Sequence, residues 1–286
     1  MSGGANRRGF FRELMRSAAR AAEEFGDAIR DIDIDEPALP GYDEEYRVET
    51  VPAAPAARLA SADELRSLCD NDLAEHADAI VALAQTSLRL TAGYSGDSYL
   101  GGVPELPDAS DWPAGFACVA TLALDQLPET ELPRTGTMVV LAALPPARAG
   151  ARVLVVDGPA EPVERPHVLP VLRVLATAEL TLPAAPPEGI DDEAWLALRE
   201  RLAAAQGVEL EDIAGDYRSL HRVLGHPDAL DAGLADEAGA PEFRLLFQLS
   251  GDDRLGVTLG YERLTLWIRD ADLRAHRFDR IRAYVR

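Results

Sequence analysis

Two glycine–proline turns, about 120 residues apart, constrain this chain more than any other feature in it. Leu100-Gly101-Gly102-Val103-Pro104 precedes an apolar run that starts at Phe116, and Leu224-Gly225-His226-Pro227 precedes one that starts at Phe243. Twenty residues after Phe116 stands Gly136, opening Met138-Val139-Val140-Leu141. Twenty after Phe243 stands Arg263, opening Leu264-Thr265-Leu266-Trp267-Ile268. Each unit reads as glycine turn, strand, turn, strand. Two such units can form pseudo-symmetric halves around one shared core, so the expectation is a pseudo-duplicated, compact body.

The remaining elements follow from local signals. Ser61-Ala62-Asp63-Glu64 is a capping box, in which the serine caps the helix start and the glutamate three residues on reaches back. A helical region follows to about Gln85, with Leu65, Leu68, Leu73, Ile80, Val81 and Leu83 as core contacts. Asp191-Asp192-Glu193 opens another helix, with Trp195, Leu196, Leu198 and Leu202 on or near its buried face; acids in a first turn suit the helix dipole. Proline and glycine clusters separate strand candidates at 116–124, 137–143, 151–156 and 171–181. Further strands are expected at 243–249, 254–259, 263–268 and about 281–285. Gly251-Asp252-Asp253 reads as a hairpin turn.

The chain divides into an arm at 1–30, a linker at 31–60 and a body at 61–286. Phe11, Leu14, Met15, Ala18, Ala22, Phe25 and Ile29 recur at helical spacing, and five arginines from Arg7 to Arg20 make the first two-thirds of this amphipathic helix basic. Acidic residues and Pro37, Pro40, Pro52 and Pro55 follow, a linker composition. With Arg7 and Arg8 beside Phe10, Phe11, Leu14 and Met15, the arm suits a groove on a partner protein, the chain's own acidic body, or weak peripheral contact with a membrane. Arg12, Glu13, Arg16 and Arg20 interrupt what a twin-arginine export signal would need uncharged, and no apolar run is long enough to span a bilayer. The protein is therefore expected in the cytoplasm.

Charge and composition exclude several chemistries. Net charge is −21, which repels phosphate backbones and argues against nucleic-acid binding. All 28 basic residues are arginine, so there is no lysine for a Schiff base or a P-loop. Cys69 and Cys118 stand alone and read as buried thiols of a reducing compartment. Neither a metal set nor a cofactor fingerprint is present; Gly101-Gly102 lacks the third glycine of a dinucleotide turn.

His221, His226 and Asp228 lie close in sequence, but their spacing does not place two ligands on one helical face, and His167 and His276 are remote. They read as hydrogen-bonding groups of a turn that Gly225 and Pro227 shape. Gly93-Tyr94-Ser95-Gly96-Asp97-Ser98 departs from a nucleophile elbow at Asp97. Ser98 with His221, His226 and Asp228 would be the polar set of a hydrolase between the two turns. Trp112, Trp195 and Trp267 read as core anchors, with an aromatic ligand cage as the alternative.

These segments together resemble the YwqG-like family, a bacterial family without an assigned function. The resemblance rests on Ser98-Tyr99-Leu100-Gly101-Gly102-Val103-Pro104-Glu105-Leu106-Pro107 followed by Trp112-Pro113, and on the turn from His221 to Asp228. Leu245-Leu246-Phe247-Gln248-Leu249 with Asp252-Asp253, and Asp272-Leu273 through Phe278-Asp279-Arg280, complete it. It covers about residues 60–286. It implies an α+β fold of mostly antiparallel sheet with a few helices and two related halves, and no catalytic residue. Tyr99 stands where a basic residue is common and Thr121 where a glutamine is common, whereas Gln248 is kept. A pocket lined by paired glutamines would be lopsided here.

The functional expectation is a non-catalytic cytoplasmic binding or scaffold module that docks a partner through its arm. Candidate binding residues are Gly101, Gly102, Trp112, His221, His226, Asp228, Gln248 and Trp267. The alternatives are the hydrolase above and an immunity-type protein that neutralises a toxin.

Overall fold

The computed structural model describes residues 61–285, apart from 94–95, 145–149, 164, 166–167, 207–220, 228–241, 258 and 260–262. The arm (Arg7, Arg8, Phe10, Phe11, Leu14, Met15) and the linker lie outside the described residues, as do Ser95, His167 and Asp228.

Ser61 forms the anticipated box: Glu64 N–H donates to Ser61 Oγ at 3.1 Å and Ser61 N–H to Glu64 Oε2 at 2.7 Å. It opens α1 (Ala62–Leu68). The expected helical region is broken after that. A 3₁₀ segment at Asn71–His76 intervenes before α2 (Ala77–Leu83), because Cys69 leaves helical geometry and the Asp70-Asn71-Asp72 run favours local turns over a helix interior. Leu65, Leu73 and Ile80 are buried as expected, against Trp195, Leu198 and Leu202 of α3 (Asp192–Ala205). Asp191 caps α3 through its carboxylate.

Ten strands form one antiparallel sheet: β1 (Gln85–Ala92), β2 (Tyr99–Leu100), β4 (Ala117–Ala123), β5 (Thr137–Ala143), β6 (Gly150–Val156), β8 (Leu172–Thr181), β9 (His221–Leu224), β10 (Phe243–Ser250), β11 (Arg263–Arg269) and β12 (Ile281–Val285). A two-stranded ribbon pairs β3 (Glu105–Leu106) with β7 (Glu161–Pro162), and α4 (Asp270–Arg274) follows β11. The order is β12-β11-β10-β9-β1-β8-β2-β4-β5-β6, and the edge strands β12 and β6 come alongside each other, so the twisted sheet coils into a nearly closed barrel. Two expectations are corrected. His221–Leu224 is a strand inside the sheet rather than a turn, because it pairs with β1 on one side and β10 on the other. The strand expected at 254–259 is replaced by a 3₁₀ turn (Asp253–Leu255), which the Asp252–Val257 bridge pinches and Gly256 closes at φ +62°.

Alternation along the strands separates two faces. Leu88, Leu90, Val140, Val223, Phe247, Leu249 and Leu266 point inward and fill the barrel. The helices pack against Leu180 and Leu182 at the end of β8, and on the outer face a loop carrying Trp112 covers Val139, Leu141 and Val156.

The register is matched on both sides of the central β1–β8 pair. β2, β4, β5 and β6 lie on one side, and β9 to β12 on the other. The β4–β5 ladder skips one residue between Cys118 and Ala120, and the β10–β11 ladder one between Leu245 and Phe247. Gly101 and Gly102 have φ of +72° and +73°; Leu224 and Gly225 have +61° and +78°. The register therefore aligns Tyr99 with Arg222 and Thr121 with Gln248.

Candidate functional site

Ser98 and His221 occupy equivalent positions in this register. Ser98 Oγ accepts the N–H of Ala123 at 3.1 Å, where β4 ends. His221 Nδ1 accepts the N–H of Ser250 at 3.3 Å, where β10 ends. An Nδ1 that accepts a hydrogen bond leaves the ring proton on Nε2, which donates to Asp252 Oδ2 at 3.2 Å. Arg254 holds the same carboxylate at 2.6 Å. Burial pushes the Asp252 carboxyl up, but the hydrogen bonds from His221 and Arg254 outweigh it and hold the group well below the usual carboxylate range.

The structure does not bring the Ser98–histidine set together. Ser98 pairs with Val174 of β8, whereas His221 pairs with Leu90 of β1 beyond it. Three strand spacings separate them, about 14 Å along the sheet. His226 donates its N–H to Thr181 Oγ1, seven residues past Val174 along β8, about 23 Å at the usual rise per residue. Catalytic partners need hydrogen-bond reach.

The other candidates are distributed over several places. Gly101 belongs to a close backbone crossing, where a Cβ would stand 2.0 Å from the Pro170 carbonyl oxygen. Trp112 is buried under its loop and donates Nε1–H to Phe116 O at 2.8 Å; Trp267 donates to Thr265 Oγ1 at 3.1 Å. Gln248 lies on the outer face in a buried cross-strand row with Arg222 and Arg89. Arg222 and Arg89 share the carboxylate of Glu179 on β8, at 3.1 and 3.5 Å. Arg89 also donates to Gln206 O, at the end of α3, at 3.1 Å. A buried carboxylate between two guanidiniums ties α3 to the sheet. Removing Glu179 would leave two buried guanidiniums without the carboxylate they share. Both cysteines are buried, and burial pushes the Cys118 thiol up to about 11.

An open cleft at one end of the barrel, of about 730 Å³, gathers residues from both halves. Ala84, Gln85 and Thr86 enter it from the α2–β1 junction and Leu224 from the end of β9. Glu129, Thr130 and Glu131 come from the β4–β5 connection, and Glu242, Arg244, Asp270 and Arg274 from the ends of β10 and β11. Arg244 bridges Glu131 and Asp270 (3.2 Å to the latter), and Arg274 adds a contact of 2.7 Å to Asp270. Four carboxylates against two guanidiniums leave the lining net negative. Of these residues, sequence pattern singles out only Leu224, as part of a turn, and Gln85, as the end of a helical region. The acids sit in three separate segments, and no local pattern announces that the barrel end unites them. Among the described residues no group of three or more histidines, cysteines or acids is arranged to hold a metal ion. No described helix is long and apolar enough to cross a membrane.

A family described as a domain of unknown function, DUF1963, matches residues 98–285. The chain belongs to the DUF1963 family. No curated protein matches it. The DUF1963 match starts at Ser98 and contains nine of the ten sheet strands. The missing strand is β1, which lies between β8 and β9 in the middle of the sheet. The segment that completes the DUF1963 sheet also supplies one wall of the cleft, at Ala84–Thr86.

Proposed function

We propose that this DUF1963 protein is a non-catalytic, cytoplasmic binding module of YwqG-like type, and that its barrel-end cleft takes a cationic group of a partner. The observation that carries the reading is the equivalence of Ser98 and His221. The two groups that could have served as nucleophile and base each accept the last N–H of a neighbouring strand, one in each half. Their roles are architectural. We take the matched bulges, left-handed turns and caps as marks of an internal duplication.

The open, net-negative cleft then becomes the place where the surface can recognise a ligand. It is wide enough for one or two basic side chains, and the charge of the whole protein steers basic partners toward it. The arginine-rich arm, carrying Arg7, Arg8, Phe10, Phe11, Leu14 and Met15, recruits a second partner surface. A basic toxin neutralised by this acidic body is one partner of that class.

The test is binding of an arginine-rich peptide to the full chain and to the double variant Glu129→Gln/Glu242→Gln. We expect affinity to fall about tenfold in the variant, and to weaken with salt in the wild type, as for an exposed charged site. A peptide that fails to bind at low salt, or binds both proteins equally, would overturn the cleft assignment. Deleting residues 1–36 should remove co-purifying partners; an unchanged set would overturn the role of the arm.

A further inference from the structure

Around β12 the charge of the chain reverses. Five arginines (Arg269, Arg274, Arg277, Arg280 and Arg282) stand here against three aspartates (Asp270, Asp272 and Asp279), in a chain with 28 basic and 49 acidic residues. All five arginines are exposed. Asp270 is already taken by Arg244 and Arg274, and Asp272 by Arg277. The Arg277 hydrogen bond, against burial, and then the charges of Arg280 and Arg269 hold the Asp272 carboxyl below the usual range, so three guanidiniums gather round this one acid. Arg280 reaches Asp279 only at 3.8 Å, and Arg269 forms no ion pair among the described residues. Alternation gives these arginines a floor. Leu264, Leu266 and Ile268 of β11 point into the barrel, so Trp267 and Arg269 point outward. Ile281 and Ala283 of β12 point inward, so Arg282 and Tyr284 point outward. Phe243 stands opposite Arg269, and Trp267 stands between Leu245 and Arg282. Phe243, Leu245, Trp267 and Tyr284 form a small apolar cluster on this outer face. The guanidinium carbon of Arg282 lies 3.9 Å from the Phe243 ring centre, and that of Arg269 lies 5.5 Å from it.

We propose that this outer rim of β10–β12, with Arg269, Arg280 and Arg282 around Phe243, is a docking surface for an acidic segment of a partner protein. Two like charges over one ring repel each other, and the negative face of the ring offsets part of that repulsion. An anion between them offsets the rest. A guanidinium laid on a ring is weakly hydrated and binds by its face, so its N–H edge has the geometry to fork onto a carboxylate. Carboxylates suit the rim better than a polyphosphate chain does. Glu242 and Asp270, the chain neighbours of Phe243 and Arg269, line the cleft behind the rim and border the surface with negative charge. A short acidic segment touches the arginines and stops there, whereas an extended phosphate backbone runs on across an acidic body. The proposal does not rest on the cleft reading. Where both hold, cleft and rim together select a partner whose basic and acidic groups are neighbours.

The rim is tested by binding of a glutamate-rich peptide to the full chain at about 0.1 M salt, where charges more than about 10 Å away are largely screened. The wild type should bind, and Arg269→Gln/Arg280→Gln should bind about tenfold more weakly. Both side chains are exposed, so the double variant is expected to keep the fold. Should it fail to fold, NMR of the wild type decides: the peptide must shift the Nε–H resonance of Arg269. No binding by the wild type, equal binding by the double variant, or an unshifted Arg269 would each overturn the rim. A single-stranded oligonucleotide that binds more tightly than the peptide would overturn the choice of carboxylates. Glu129→Gln/Glu242→Gln should bind the acidic peptide at least as well as the wild type; a loss there would overturn the separation of rim from cleft. Failure of the arginine-rich peptide to bind while the acidic one still does counts against the cleft reading alone.

Discussion

Gly101 fixes the first of the two turns by what it lacks. With φ at +72° and the Pro170 carbonyl oxygen 2.0 Å from a would-be Cβ, Gly101→Ala meets both a steric clash and an unfavourable backbone region. We expect it to cost on the order of 3 kcal/mol, read from chemical denaturation, and an unchanged midpoint would contradict the close crossing. His221 is decided by its two hydrogen bonds. Asparagine can present an acceptor near the Nδ1 position, whereas leucine removes both the acceptor for the Ser250 N–H and the ring donor to the Asp252 carboxylate, which Arg254 still holds. His221→Leu should therefore lose about 3 kcal/mol and His221→Asn roughly half as much; equal losses would show that volume, not bonding, governs the site. The two buried titrations give a signed pH dependence. His226 has a lowered pKa, so its contribution to stability is complete above its ordinary value near 6.5 and is lost as pH falls through the lower folded value. Asp252 is also lowered, so its contribution is complete above its ordinary value near 4 and is lost progressively as pH falls below it toward the lower folded value. The first loss of stability on acidification below neutrality should thus be absent in His226→Gln, as thermal melts across that range would show.

Among the elements, the β4–β5 connection depends on a partner in the other half of the sheet. Arg244 at the start of β10 is mostly buried and bridges Glu131 of that connection to Asp270 at the start of α4. Arg244→Leu keeps much of the side-chain volume but leaves both carboxylates without the guanidinium. We expect a loss of about 1–2 kcal/mol and faster proteolysis within 127–136. Proteolysis at the wild-type rate would mean that the connection is held by its own turns. Several elements were legible beforehand. The Ser61 box, the acid-led start of α3 and the strands of both meanders follow from caps and alternation, which are local. The helical break after Cys69 and the strand character of His221–Leu224 were not. A four-residue strand carries too little pattern, and it exists because β1 and β10 flank it.

For the whole molecule, the position of β1 matters most. It sits between β8 and β9 in the sheet although it precedes both in the chain, so it joins the two groups of strands. A fragment of residues 98–286, which retains the DUF1963 match, exposes facing edges of β8 and β9 in the centre of the sheet. We expect it to lack a cooperative unfolding transition, while residues 61–286 retain one. A cooperative 98–286 fragment would show that β8 and β9 can close on each other.

What the amino-acid sequence determined by itself was the inventory: helix starts, most strands, the paired glycine turns, the buried tryptophans and a net charge of −21. These are properties of neighbours along the chain, and spacing records them. The tertiary structure alone decided which side chains meet. It placed Ser98 and His221 three strand spacings apart in matching roles, set Gln248 on the opposite face of the sheet from His221, and drew Glu131, Arg244 and Asp270 to one rim. Sheet order and register produce those meetings, and both depend on pairings between segments about 70 to 140 residues apart, whose partners no local pattern specifies.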